Sequence, residues 1–123
     1  MVSTDSFEKG LPKLEEILSH EEDDIIRDAT IQRFEFTFEL AWKALRTFLK
    51  EVHGIVCNSP KGCFREGLSL GSFDSETTES LLKMVDDRNS TTHTYYEDSA
   101  QKIYSNIKNN YAVNLRNLFE KIK

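Results

Sequence analysis

The stretch IQRFEFTFELAWKALRTFLKEVHG, residues 31–54, decides the fold. Ile31, Phe34, Phe38, Ala41, Leu45, Phe48 and Val52 recur at alternating steps of three and four. That spacing lines one face of an α-helix over several turns as a coiled-coil-like apolar seam. Glu39 precedes Lys43 by four positions, a favourable pair on a helix surface. Gly54 stands where helices commonly end on a left-handed residue. A second stripe, Ile25, Ala29, Phe36 and Leu40, lies roughly opposite the seam when residues are placed at about 100° each. A helix apolar on two sides is either central in its bundle or covered by another chain. The stripe is therefore a candidate partner interface.

Working outward, Phe7, Leu11, Leu14 and Leu18 predict a first helix over 7–18, with Pro12 early in it. Ser19 followed by Glu22 resembles a capping box ahead of the long helix. Beyond Gly54, Ser59-Pro60 fits an N-cap followed by proline at the first helical position. It opens a short helix to about Leu70, closed by Gly71. Asp74 or Ser75 caps a fourth helix that reaches Asn89. The last helix runs from Glu97 to Ile122, with Tyr104, Ile107, Tyr111, Leu115, Leu118 and Ile122 along one face. No segment reads as a strand, and there is no internal repeat or low-complexity tract. The expectation is one all-α domain over residues 1–123. It is an up-and-down bundle of four main helices with one short extra helix.

A chain of 123 residues suits a single domain and buries roughly two-thirds of its unfolded surface without staples. No apolar run is long enough to span a bilayer, and no basic start precedes an apolar block, so the expected location is cytoplasmic. The net charge of −5 and pI of about 5.2 argue against a broad nucleic-acid footprint but leave room for a local phosphate site. Cys57 and Cys63 do not make a disulfide framework and read as free thiols of a reducing compartment. With His53 they match no common zinc spacing, and a fourth ligand is missing nearby, so no metal is expected.

The polar stretch after the fourth helix carries the chemistry. Leu81, Val85 and Arg88 share one face by the i, i+4, i+7 rule, which puts a guanidinium on the apolar side. Such a group is costly without a partner. It either pairs with a bundle carboxylate, Glu35 or Glu39, or snorkels at the helix end, or offers a planar fork to a phosphate. His93 follows five residues later, and imidazole moves protons near neutral pH. Tyr95 and Tyr96 supply hydroxyls that donate, accept or, when activated, attack.

Arg88-Asn-Ser-Thr-Thr-His93-Thr-Tyr95 resembles the Arg-x-x-x-x-His-x-Tyr motif of HEPN domains, in particular the HepT-like group. IQRFEFTFELAWKAL, residues 31–45, resembles the signature helix of the nucleotidyltransferase substrate-binding proteins within that group. SPKGCFREG and MVDDRNSTTHTYYE extend the likeness in the same order, so that it runs from about Phe7 to Leu118. The Gly10 and Pro12 pair departs from the usual first helix. The resemblance implies a homodimeric four-helix bundle that partners a small separate nucleotidyltransferase, in pairs that act as toxin and antitoxin. The partner enzyme, using ATP and magnesium, attaches AMP to the motif tyrosine, here Tyr95; this chain itself needs no cofactor. Asp87, Asn89 and Tyr96 stand as supporting motif positions. In active HEPN toxins the motif arginine and histidine, here Arg88 and His93, cut RNA without metal. That alternative needs a base and an acid, which two chains across a two-fold axis supply together.

Gly71-Ser72 followed by Asp86-Asp87 superficially mimics the nucleotidyltransferase motif itself. Two-metal transfer needs carboxylates that converge, usually from strands, whereas these two fall on a helix end and point apart. The transferase is therefore expected to be another protein.

Overall fold

Residues 31–53 lie within the helix around which the rest is arranged. The computed structural model describes residues 5–91 and 97–123, Glu97 by its backbone alone. Helices α1 (Asp5–Ile17) and α2 (Asp24–His53) are followed by α3 (Pro60–Ser69), α4 (Ser75–Asn89) and α5 (Glu97–Asn106). A π-helical turn (Ile107–Tyr111) joins α5 to α6 (Ala112–Ile122). The protein is an all-α bundle, with no strand among the described residues. None of its described helices is long and apolar enough to cross a membrane.

The start of α2 differs from the capping-box expectation. Asp23 is the cap: its Oδ1 accepts from the Ile26 N–H at 2.8 Å, satisfying one of the orphan donors of the first turn. Ser19 faces the preceding helix and donates to the Glu16 carbonyl at 2.6 Å. The far end is as predicted. Gly54 has φ 68°, and its N–H donates to the Lys50 carbonyl at 3.0 Å.

Ile31, Phe34, Phe38, Ala41 and Leu45 are buried as the seam requires. Val52 is not, at 56% exposed; Leu49 takes the inward place. A straight helix drifts about 20° per heptad from a strict 3.5-residue pattern, which rotates the last seam position out of the core. The second stripe is explained mainly by centrality. Helix α2 is packed by α1, α3, α5 and α6, and Ala29 and Leu40 rest against the core. Ile25 and Phe36 remain open, at 78% and 40% exposed. Gly10 permits the α1–α2 approach: a Cβ there would stand 2.9 Å from Leu40 Cδ1.

Cys57 and Cys63 are disulfide-bonded, which corrects the free-thiol expectation. The cause is the path of residues 54–59. Ser59 caps α3 by accepting from the Gly62 N–H at 3.1 Å, and the chain ahead of the cap turns back over the first helical turn. Cys57 thereby meets Cys63 with a Cα–Cα separation of 5.3 Å, well inside bridging range. The bond is a covalent counterpart of a hydrophobic staple across a helix start. Helices α3 and α4 form a hairpin closed by Phe73, whose ring lies where a Cβ on Gly67 would be, 2.3 Å from Cε2. Asp74 caps α4, accepting from the Thr77 N–H at 2.7 Å. Phe34 stacks on Tyr111 at 5.7 Å between centroids, joining α2 to the final helical segment.

Candidate functional site

Three consecutive charged side chains at the end of α4 leave in three directions. Successive residues of a helix point about 100° apart, so each reaches a different neighbour. Asp86 meets Lys61 of α3 at 2.7 Å. Asp87 Oδ2 accepts from Asn106 Nδ2 at 2.9 Å and from the Tyr111 hydroxyl at 2.5 Å. Arg88 Nη1 lies 3.6 Å from Glu35 Oε2 of α2 and 3.4 Å from Thr91 Oγ1. The two aspartates therefore do not share a metal-binding direction.

The π turn explains how one carboxylate oxygen collects two donors. Asn106 and Tyr111 are five residues apart, which in a regular helix would set them about 140° apart. A π turn bonds i to i+5 and brings such positions back to one side. The Tyr111 phenol is buried, and both that burial and its hydrogen bond to Asp87 push its ionisation far above the ordinary tyrosine range. Tyr104, also buried, is shifted the same way by burial first and by Glu22 second.

Arg88 resolves the choice between Glu35 and Glu39. Glu39 instead accepts from the Trp42 ring N–H at 3.1 Å and lies 3.8 Å from Lys43. Thr91 Oγ1 sits between Glu35 Oε2 at 3.0 Å and the Arg88 carbonyl at 2.8 Å, closing a small polar ring. The guanidinium is not sealed: its side chain is 25% exposed, and that of Glu35 is 35% exposed. Its ion pair is long and uses one Nη, and its buried Nε has no acceptor among the described residues. The part of this planar group that solvent reaches is a charged N–H donor face, and phosphate suits such a fork.

Asp87 is half-buried in its hydrogen-bonded pocket, Arg88 is half-buried against Glu35, and Asn89 is exposed. His93, Tyr95 and Tyr96 lie outside the described residues. Sequence reasoning missed Thr91, Asn106 and the second role of Tyr111. Tyr111 was visible only as a core-face residue, and no helical periodicity pairs it with Asn106. Among the described residues, no group of three or more His, Cys, Asp or Glu is placed to hold a metal ion.

The family profile described as "Nucleotidyltransferase substrate binding protein like" matches residues 3–123. A crystal structure of a protein from Thermus thermophilus is similar, with a TM-score of 0.90 and 39% sequence identity. The likeness covers 95% of this chain and 98% of that one. No curated protein matches the chain.

Proposed function

Because the chain belongs to the family of nucleotidyltransferase substrate-binding-like proteins, we propose that it is the partner subunit of a separate minimal nucleotidyltransferase. In this reading it is the HepT-like half of a toxin–antitoxin type pair. It presents Tyr95 as acceptor for AMP, which the partner takes from ATP with magnesium. The observation that carries the reading is Arg88. A partly exposed guanidinium, pinned at one corner by Glu35, closes the helix that runs directly into the segment holding Tyr95. A phosphate joined to that tyrosine would find a charge-assisted donor within the same motif. Asp86 and Asp87, tied to α3 and to the π turn, hold the end of α4 in place and so fix where Arg88 starts. Ile25 and Phe36, left open on α2, together with the half-buried Ala29 and Leu40 of the same stripe, are the surface we assign to a protein partner, a second copy or the transferase.

The same anion site suits a second reading, a metal-independent endoribonuclease in which Arg88 steadies the phosphorane and His93 moves protons across a homodimer. Addition of AMP to Tyr95 would then block the cleft.

The test is co-expression with a minimal nucleotidyltransferase, followed by intact mass. The expected result is a gain of one or more AMP units that disappears in Tyr95→Phe and falls in Arg88→Ala. Unmodified chain that cleaves RNA, with cleavage lost in Arg88→Ala and His93→Ala, supports the second reading. Neither modification nor cleavage in the folded wild type would sink both.

A further inference from the structure

At the other end of α2, a cavity of about 480 Å³ opens between its last turns and the loop to α3. Arg46, Lys50, Glu51 and Val56 line it, and so does Cys57. The two cysteines of the disulfide are not equivalent there. Cys57 is 6% exposed and forms part of the cavity wall, whereas Cys63 is 0% exposed within the core. Of the two cysteines, Cys57 is the one that lines the cavity. Two cations share that wall with one carboxylate, so its net charge is positive. The Arg46 guanidinium lies over the Trp42 ring at 5.0 Å, which holds one of those cations in position.

We infer that Cys57 is a thiol–disulfide exchange site for small anionic thiols, which the cavity admits and its cations attract. The incoming thiolate attacks Cys57 Sγ and forms a mixed disulfide. The Cys57–Cys63 bond breaks, and its electron pair leaves on Cys63, which takes a proton from water. A second thiolate attacks the sulfur of the first and releases the symmetric small-molecule disulfide. Cys57 departs as a thiolate and is protonated in turn. Two small thiols are oxidised to one disulfide, and the protein disulfide is reduced to two thiols. Cys63 lies beside the mixed disulfide and expels the adduct readily, so the adduct accumulates when Cys63 is removed.

The experiment uses the full chain carrying Cys63→Ala, incubated with oxidised glutathione or with cystamine, a cationic disulfide of the same chemistry, at low ionic strength. Intact mass should register one glutathionyl group on Cys57, gained roughly tenfold faster than the cystamine adduct. The preference should vanish when Arg46→Ala and Lys50→Ala are added. Equal rates, or a cystamine preference, would overturn the inference. If Cys63→Ala fails to fold, the wild type is treated with reduced glutathione, quenched in acid and fragmented. The transient adduct is then expected on Cys57, and its location on Cys63 is the refuting result. In air-oxidised, folded wild type, an alkylating reagent should add nothing until a reductant is present. Two alkylations without reductant would remove the premise.

Discussion

Tyr111→Phe isolates the contact that fixes the end of α4. The ring keeps its stack on Phe34, so no cavity opens, and the change removes one hydroxyl that donates to Asp87 at 2.5 Å. A hydrogen bond to a charged acceptor contributes about 1.5–3 kcal/mol. Asp87 is only half-buried and keeps Asn106, so water recovers part of the loss and about 2 kcal/mol remains. For a chain of this size that is a fall in Tm of roughly 6–10 °C. Urea unfolding followed by circular dichroism at neutral pH measures it. A double-mutant cycle with Asp87→Ala should return a coupling of about 1–2 kcal/mol. The pH dependence has a definite sign. Burial, then Asp87, raises the Tyr111 ionisation above its value in the unfolded chain. Its stabilisation is therefore complete below about pH 10 and is lost as pH rises beyond that, where only the unfolded chain releases the proton. The alkaline fall in stability should be shallower in Tyr111→Phe, while Tyr104, raised in the same direction, continues to contribute. A variant within about 0.5 kcal/mol of wild type, or a coupling near zero, would refute the reasoning.

Gly67→Ala forces a Cβ to 2.3 Å from the buried Phe73 ring and should cost about 1–3 kcal/mol by thermal melting, partly recovered when Phe73→Leu is added. Reduction of the Cys57–Cys63 bridge, whose partners are six residues apart, should lower stability by about 2 kcal/mol, read as a denaturant midpoint with and without reductant. The Asp74 carboxylate is held below its ordinary ionisation by the Thr77 backbone N–H first and the Thr77 side chain second. Its contribution is present above the unfolded-state value of 3.8 and lost as pH falls below it, so Asp74→Ala should flatten that part of an acid titration of stability.

What the sequence made legible is local. The Ser59-Pro60 start, the Asp74 cap and the Gly54 stop rest on contacts within a few residues, and each stands where its chemistry predicts. The residue type of Ser19 places the start of α2 there, whereas the path of the chain gives the cap to Asp23. Periodicity counted the apolar faces of α2 but did not say which were covered by α1 and which were left open at Ile25 and Phe36. Arg88 was conspicuous as a cation on an apolar face. Its choice of Glu35 over Glu39 depends on how α4 is rotated against α2, which no spacing records. The disulfide depends on a loop doubling back, a property of the path and not of residue types. His93, Tyr95 and Tyr96 lie outside the described residues, so the site is read from the arginine side.

The π turn makes length, as distinct from composition, the constrained quantity in residues 107–111. Lys108, Asn109 and Asn110 face solvent, and exchanging them for other polar residues should go unnoticed. Deleting any one would tighten the turn and swing α5 by about 100° and 1.5 Å against α6. Ala100 and Ile103 would leave the interior, and Asn106 would lose Asp87. A genetic change that spells the wrong letters there is silent, while one that drops a codon dismantles the partnership between the last helix and the arginine-bearing one.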